Sequence, residues 1–232
     1  MDKKVFSCHQ PNFLPWVGYF HKIYNSDIFV LLDEVQYPKN SVANRNKIKS
    51  AQGDQFITVP ITKKINNSSF FTYKEATFAQ KNWYEKTKKS IEQSYKKSEF
   101  YEAYKDEIFD ILKTDNFCDM NIRFIKFILN EYQIDTEICL MSEINGITGK
   151  KNDLLIEIGM LLNANVYLSG SGARSYNDEK KFKQNNLIIK YQDFKHPEYK
   201  QLYPPFIPYL SIIDLLFNEG KQGRELLQKQ NL

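Results

Sequence analysis

The N-terminal part of the chain alternates short apolar runs with an amphipathic stretch. Residues 4–8 form an apolar run that predicts a buried strand, and residues 18–25 carry apolar side chains at helical spacing. Residues 27–35 follow as a continuous apolar run, which is typical of a strand covered on both faces. A strand, a helix and a strand over so short a length predict a βαβ unit, and therefore a parallel sheet.

The middle of the chain has a different pattern. A strand is expected at residues 55–61, and apolar residues then recur at spacings of three and four. Three helices are predicted there, at residues 80–94, 99–113 and 120–133. We therefore expect a helical block at about residues 80–133.

Strand and helix patterns alternate again after this block. The predicted elements are a strand at 136–144, a helix at 149–164, strands at 165–170 and 186–194, and a last helix at 211–218. This alternation on both sides of the block predicts an α/β fold, with a mainly parallel sheet, flanking helices and an inserted or appended helical block. There is no low-complexity linker, so residues 1–232 are expected to form a single domain.

Composition excludes several classes of protein. The 32 basic and 28 acidic residues are interspersed, so no nucleic-acid partner is expected. The three cysteines lack CxxC spacing and the three histidines lie far apart, so neither disulfides nor a metal site are predicted. No apolar run approaches the roughly 18 residues of a membrane span and no signal peptide precedes the first strand, so a cytoplasmic location is expected. The 15% aromatic content is compatible with a ligand pocket.

The loop after the first strand carries the first candidate site. His9 and Gln10 follow the strand directly, Pro11 and Pro15 stiffen the turn, and Trp16 offers a flat ring for stacking. An imidazole titrates near neutral pH, so His9 is a candidate general base. The alternative is a structural histidine bonded to the backbone.

The segment after the second predicted strand supplies further polar candidates. Asp33 ends an apolar strand, where a carboxylate is costly unless it is paired or bound, and a guanidinium such as that of Arg45 suits phosphate or carboxylate. Lys39 and Asn44 lie between them. A structural ion pair between Asp33 and Arg45 is the alternative.

The glycine-rich turn at residues 167–178 is the third candidate. Its glycines allow close approach of the backbone to a ligand, and a helix beginning near Ser175 would favour an anion. The candidate binding residues are Ser169, Gly170, Ser171, Gly172, Arg174 and Tyr176. A plain turn with a helix cap at Ser175 is the alternative reading.

A fourth segment follows the strand at 186–194 and contains His196, Tyr199 and Gln201. Ligands of open parallel sheets bind at the carboxyl ends of strands. We therefore predict a single cleft in which His9 and Gln10 meet Asp33, Asn44, Arg45 and His196.

These motifs together resemble the WbqC-like family of bacterial proteins. The resemblance rests on "HQPNFLPWVGYFHKI", "DIFVLLDEVQYPKNSVANRNKI", "VYLSGSGARSY", "FKHPEYKQ" and "LSIIDLLFNEG", and it covers nearly the whole chain. It implies a place in O-antigen, capsule or other surface-glycan biosynthesis, and some members are named as glycine or aminoacyl transferases. The order of elements also looks like that of nucleotide-binding α/β folds, although the stretch from Trp16 to Tyr19 lacks their HxGH signature.

Three functional hypotheses follow. The first is an enzyme that transfers an acyl or aminoacyl group to a nucleotide-activated amino sugar, with catalytic residues His9, Gln10, Asp33 and His196. The second is an ATP-dependent ligase that forms an acyl adenylate and needs Mg²⁺ near Asp33 or Asp214. The third is a non-catalytic nucleotide-sugar-binding protein of a glycan-assembly complex. The oligomeric state stays open, and a homo-oligomer is compatible with each hypothesis.

Overall fold

The computed structural model describes residues 3–38 and 42–227. The strands in this part of the chain are β1 (Val5–His9), β2 (Ile28–Leu31), β3 (Arg45–Ser50), β4 (Gly53–Thr58), β5 (Glu137–Leu140), β6 (Val166–Ser169) and β7 (Ile188–Tyr191). The α-helices are α1 (Val17–Tyr24), α2 (Trp83–Tyr95), α3 (Tyr101–Leu112), α4 (Phe117–Glu131), α5 (Asn152–Leu161), α6 (Glu179–Gln184) and α7 (Ile212–Glu219).

Five strands form one parallel sheet in the order β5-β2-β1-β6-β7. The predicted α/β fold is thereby confirmed. The chain starts at the central strand β1, builds outward to β2 and β5, and then returns to the other side of β1 with β6 and β7. The strand order therefore reverses between β1 and β6, and this reversal opens a crevice at the carboxyl ends of the two strands.

Apolar residues cover both faces of the sheet. One cluster joins α1, α7 and the helical block α2 to α4, and it includes Phe20, Phe29 and Phe217. A second cluster packs α5 and α6 on the opposite face, around Phe6 and Phe182. Because the two central strands are buried on both faces, they read in the sequence as continuous apolar runs.

Strands β3 and β4 form a separate antiparallel hairpin, with Arg45 opposite Thr58 and Ser50 opposite Gly53. The sequence analysis did not predict β3, since its six residues are mostly polar and only Ile48 and Lys49 are buried. Gly53 has a φ of 113°, which a glycine adopts without strain at the tight turn.

The loop between β1 and α1 is fixed by its apolar residues and by its backbone. Phe13 and Leu14 are each 1% exposed and belong to the core. The carbonyl of Leu14 accepts a hydrogen bond from the Asn46 side chain at 2.6 Å, and that of Pro11 accepts one from Asn121 at 2.8 Å. The loop thus holds the end of β1 in a defined place.

Candidate functional site

A cleft of about 490 Å³ opens at the carboxyl ends of β1 and β6, where the strand order reverses. Its lining residues are Cys8, His9, Trp16, Gly18, Lys22, Tyr167, Ser169, Gly170, Ser171, Gly172, Ala173, Gln192, Phe194 and Tyr209. Six of the residues predicted from the sequence are among them: His9, Trp16, Ser169, Gly170, Ser171 and Gly172. A crevice of this kind is the usual ligand-binding place of open α/β sheets.

His9 ends β1 and presents one free ring nitrogen. Its Nδ1 lies 3.1 Å from the carbonyl oxygen of Gln10, which can only accept, so Nδ1 carries the proton and Nε2 is a hydrogen-bond acceptor. The ring packs edge-on against Trp16 and Tyr19, with centroids 5.6 and 5.0 Å away. Burial, and then the charge of Lys22, lower the pKa of His9 to about 3, so the imidazole is neutral at physiological pH.

Lys22 on α1 is a lining residue of the cleft. The residue is 4% exposed, and its Nζ donates a 2.9 Å hydrogen bond to the carbonyl of Cys8. Burial lowers its pKa to about 8. It has no ion pair with any carboxylate of residues 3–38 and 42–227.

Three rings, those of Trp16, Phe194 and Tyr209, form a wall of the cleft, here called the aromatic wall. Gly18 lies between two of these rings, since a Cβ at this position would come within 2.9 Å of both Trp16 and Phe194. Gln192 fixes this arrangement, because its Nε2 donates a 2.7 Å hydrogen bond to the carbonyl of Gly18.

The glycine-rich turn forms the opposite rim. Gly170 has an ordinary φ of −63°, and a Cβ at Gly170 or Gly172 would meet nothing within 4 Å. Neither backbone strain nor packing therefore requires glycine at these two positions. Their effect is to leave open space beside the backbone in the cleft.

The helix predicted to begin near Ser175 is not formed there. Residues Ser171–Ala173 make a short 3₁₀ turn, and the α-helix begins at Glu179, capped by the Asp178 side chain. Arg174 stacks on the ring of Tyr191 at 3.9 Å. Tyr176 is 78% exposed. Neither residue lines the cleft within the described part of the chain.

The polar candidates after β2 are held elsewhere. Asp33 is buried and accepts hydrogen bonds from the backbone amide of Ser142 at 3.0 Å and from its hydroxyl at 2.6 Å. The Asn44 amide donates to the carbonyl of Val59, and the Arg45 guanidinium lies over the ring of Phe56 at 5.1 Å. The predicted meeting of these three residues with His9 in one cleft is wrong for the cleft described here, because the chain that follows β2 joins the hairpin and β5. Lys39 lies outside the described residues.

The remaining candidates lie behind or beside the cleft. Gln10 contributes its carbonyl, which accepts hydrogen bonds from His9 and from the Tyr19 hydroxyl. The ring of His196 packs against Tyr209 with centroids 5.2 Å apart, and its Nδ1 donates to the carbonyl of Pro197. Its Nε2 is buried without a partner in the described structure, and burial lowers its pKa. His196 thus supports the aromatic wall from the far side.

Tyr199 and Gln201 belong to a buried hydrogen-bond network centred on Asp214. The Asp214 carboxylate accepts from Tyr95 at 2.9 Å and from Tyr199 and Gln201 at 2.8 Å each. Gln201 in turn accepts from Lys49 at 2.7 Å. The network fastens the segment that carries Tyr209 to α2, β3 and α7.

Comparison with known sequences places the chain in a family. The sequence profile of the WbqC-like protein family matches residues 10–226. The chain belongs to the WbqC-like protein family. It is also 30% identical, over 223 residues, to the protein named "Uncharacterized protein Rv1507c" of Mycobacterium tuberculosis, and the match covers 94% of this chain and 95% of that protein. No solved structure matches the chain.

The WbqC-like match spans every lining residue of the cleft except the two that end β1, Cys8 and His9. Sequence reasoning did not single out the other eight lining residues, and four of these have side chains suited to ligand contacts: Lys22, Gln192, Phe194 and Tyr209. The sequence held no signal for Lys22, because a lysine on a short helix is normally exposed to solvent. Gln192 and Phe194 directly follow the strand β7, whose end faces the same edge of the sheet.

The described part of this WbqC-like chain has no group of three or more His, Cys, Asp or Glu residues arranged as metal ligands. The two aspartates considered as neighbours of Mg²⁺ both accept hydrogen bonds from protein donors, Asp33 from Ser142 and Asp214 from the network above. None of the described helices has the length and apolar character needed to cross a membrane.

Proposed function

We propose that this chain binds a nucleotide-activated amino sugar in the cleft between β1 and β6 and transfers an acyl or aminoacyl group to it. The observation that carries the proposal is the combination of the aromatic wall with the free Nε2 of His9 and the open glycine turn in one cleft. Aromatic faces suit the apolar faces of sugars and bases, and polar groups at strand ends fix their orientation. The setting in surface-polysaccharide biosynthesis is the one that the family resemblance implies.

Each side of the cleft has a role in this proposal. Trp16 and Tyr209 stack on the base or the sugar ring. The backbone of the turn from Ser169 to Gly172 faces the phosphate groups, which approach closely because Gly170 and Gly172 have no side chain. Arg174 would join this phosphate site only by leaving the ring of Tyr191.

His9 faces the amine or hydroxyl that receives the acyl group. Its neutral Nε2 accepts a hydrogen bond from that amine or hydroxyl, and this bond orients the lone pair of the amine or hydroxyl toward the acyl donor. A pKa of about 3 makes His9 a weak base, because efficient general bases have a pKa near the working pH. We therefore propose that His9 orients the acceptor group rather than removing the proton of that group as a general base.

The test uses the fluorescence of Trp16. The chain has two tryptophans, and the other one, Trp83, is 5% exposed in the core, so Trp83→Phe leaves a single reporter in the cleft. Nucleotide-linked amino sugars are titrated into this variant, with free nucleotides and free sugars as comparisons. We expect saturable quenching by the nucleotide-linked amino sugars. Adding His9→Ala or Trp16→Ala should weaken their binding at least tenfold. Binding to the Trp16→Ala variant is measured by calorimetry, because this variant lacks the fluorescent reporter.

Mass spectrometry of the sugar after incubation with activated acyl and aminoacyl donors then tests transfer. Tyr176→Phe is the matched control, since Tyr176 is exposed and outside the cleft. Absence of binding by every nucleotide-linked amino sugar would refute the proposal.

A non-catalytic binding protein is the second candidate function. The low pKa of His9 favours it, because a histidine that stays neutral and bonded to the backbone suits ligand recognition. Binding that depends on Trp16 and His9, without acyl transfer from any donor tested, would support this candidate over the transferase.

A further inference from the structure

Two lysines of this chain are buried to a similar extent but differ in their surroundings. Lys49 is 2% exposed and donates to Gln201 and to the carbonyl of Pro205. Burial lowers its pKa, and the charge of the nearby Asp214 carboxylate opposes this shift. Lys22 is 4% exposed and donates only to the carbonyl of Cys8 among the described residues. Lys49 therefore has a counter-charge within the protein, whereas Lys22 has none in the part of the chain that the structure describes.

A buried ammonium without a counter-charge is costly. Charged groups inside proteins are normally paired, because desolvation of an isolated charge is strongly unfavourable. A methionine would fill the volume of Lys22 without this cost. The titratable groups coupled to Lys22 are Cys8 and His9, and both are neutral at pH 7. The Lys22 Nζ also lies over the ring of Phe29, 5.6 Å from its centroid, and this ring attracts a cation but carries no net charge.

The position of Lys22 indicates where the counter-charge comes from. Lys22 lines the same 490 Å³ cleft as Gly170 and Gly172, where the backbone faces open space. The volume of the cleft is large enough for an anion of a few atoms. The partner that residues 3–38 and 42–227 do not supply is therefore expected on the ligand.

We infer that Lys22 is the anion-binding residue of the cleft, and that the natural ligand presents a compact oxyanion to it. The inference rests on the proposed function only in placing the ligand in this cleft. Two sources supply the same chemistry: the phosphate groups of a nucleotide-linked sugar, or the carboxylate of an acyl or aminoacyl group. In either case the oxyanion supplies the counter-charge that is absent from the described residues.

Calorimetric titration of the full chain tests the inference. The probes are pyrophosphate and inorganic phosphate in one arm, and acetate and glycine in the other, so that the arms distinguish the two sources. Lys22→Met removes the charge and keeps the volume, and Lys190→Met is the matched control, because Lys190 is exposed on β7 and does not line the cleft. We expect one arm to bind, with at least tenfold weaker binding in Lys22→Met and unchanged binding in Lys190→Met. Equal binding by Lys22→Met, or no binding of any probe to the wild type, would overturn the inference.

A measurement on the wild-type protein covers the case in which Lys22→Met does not fold. Sulfate is the probe, because its charge stays the same across the range. The pKa of Lys22 is about 8. The pKa of Cys8 lies near 12, that of His9 lies near 3, and that of Tyr167 is raised. Among these four groups, only Lys22 therefore titrates between pH 7 and pH 9. Sulfate affinity should fall about tenfold from pH 7 to pH 9 as the ammonium loses its proton. A constant affinity would contradict the inference.

The outcomes separate this inference from the proposed function. Anion binding that depends on Lys22, without binding of nucleotide-linked amino sugars, would leave the inference standing and remove the proposed ligand. Binding of a nucleotide-linked amino sugar with equal affinity by Lys22→Met and wild type would support the proposed ligand and refute the anion-binding role of Lys22.

Discussion

The hydroxyl of Tyr199 donates a 2.8 Å hydrogen bond to Oδ2 of Asp214, a residue with no exposed surface at the start of α7. Tyr95 and Gln201 donate to the same carboxylate. Tyr209 itself is 61% exposed and so has little contact with the core. The segment that carries it is instead held to the core by these buried hydrogen bonds. The position of Tyr209 in the aromatic wall therefore depends on this network.

Asp214→Ala is expected to destabilise the protein by about 3 kcal/mol, because it leaves three buried donors without an acceptor. Tyr199→Phe removes one donor and should cost about 1 kcal/mol. Urea unfolding measures both, with the exposed Tyr176→Phe as a control that changes stability by less than about 0.5 kcal/mol. An Asp214→Ala protein as stable as this control would contradict the structural role of the network.

The glycines of the cleft are expected to fall into two classes. Gly170→Ala and Gly172→Ala should leave stability unchanged or raise it by up to about 1 kcal/mol, because the backbone is unstrained and the space is open. Both should weaken ligand binding, since a methyl group enters the cleft. Gly18→Ala should instead lower stability by about 1 to 3 kcal/mol, because its Cβ meets Trp16 and Phe194 at 2.9 Å.

Thermal unfolding and the fluorescence titration together check these three variants. Loss of stability in Gly170→Ala or Gly172→Ala would mean that the turn needs glycine for its own fold. Unchanged ligand affinity in both would place the ligand away from the turn.

His9 is expected to make the protein less stable in acid. Its pKa falls from 6.5 in the unfolded chain to about 3 in the folded protein, so the unfolded state binds more protons between these values. The stability is therefore complete above about pH 6.5 and is lost as the pH falls toward 3. His9→Gln should reduce the pH dependence of the free energy of unfolding by about one proton in this range, and an unaltered dependence would argue against the low pKa. His196, whose pKa is also lowered, contributes in the same direction in both proteins.

Lys22→Met is expected to be at least as stable as the wild type at pH 7. Burial lowers the pKa of Lys22 from 10.5 in the unfolded chain to about 8, so the protonated amine opposes folding, and stability rises with pH between these values. The advantage of Lys22→Met should shrink by pH 10. Lys49→Met is the matched control and should lose about 2 kcal/mol or more, because Lys49 bonds to Gln201 and Pro205. Denaturant unfolding at pH 7 and pH 10 measures the free energy of unfolding of each variant. A large loss of stability in Lys22→Met at pH 7 would indicate that Lys22 has a structural role.

The class of the fold and two sides of the cleft follow from local sequence pattern. Continuous apolar runs identified β1 and β2, since only strands buried on both faces have this pattern. The residues that end β1 and β6 could be assigned to the ligand edge, because parallel strands present their carboxyl ends on one side. His9, Trp16 and the turn at Gly170 were therefore predicted before any packing was known, and they line the cleft.

Which strand ends share that cleft depends on the pairing of strands that are distant in the sequence. Asp33, Asn44 and Arg45 follow a strand as closely as His9 does, but β2 lies on the other side of β1 from β6, and the chain after β2 turns into a hairpin. Local sequence does not encode strand order, which arises from long-range pairing. The same holds for Lys22, because a lysine on a short helix reads as a solvent-exposed residue until the structure shows that it is buried in the cleft and that no carboxylate of the described chain pairs with it.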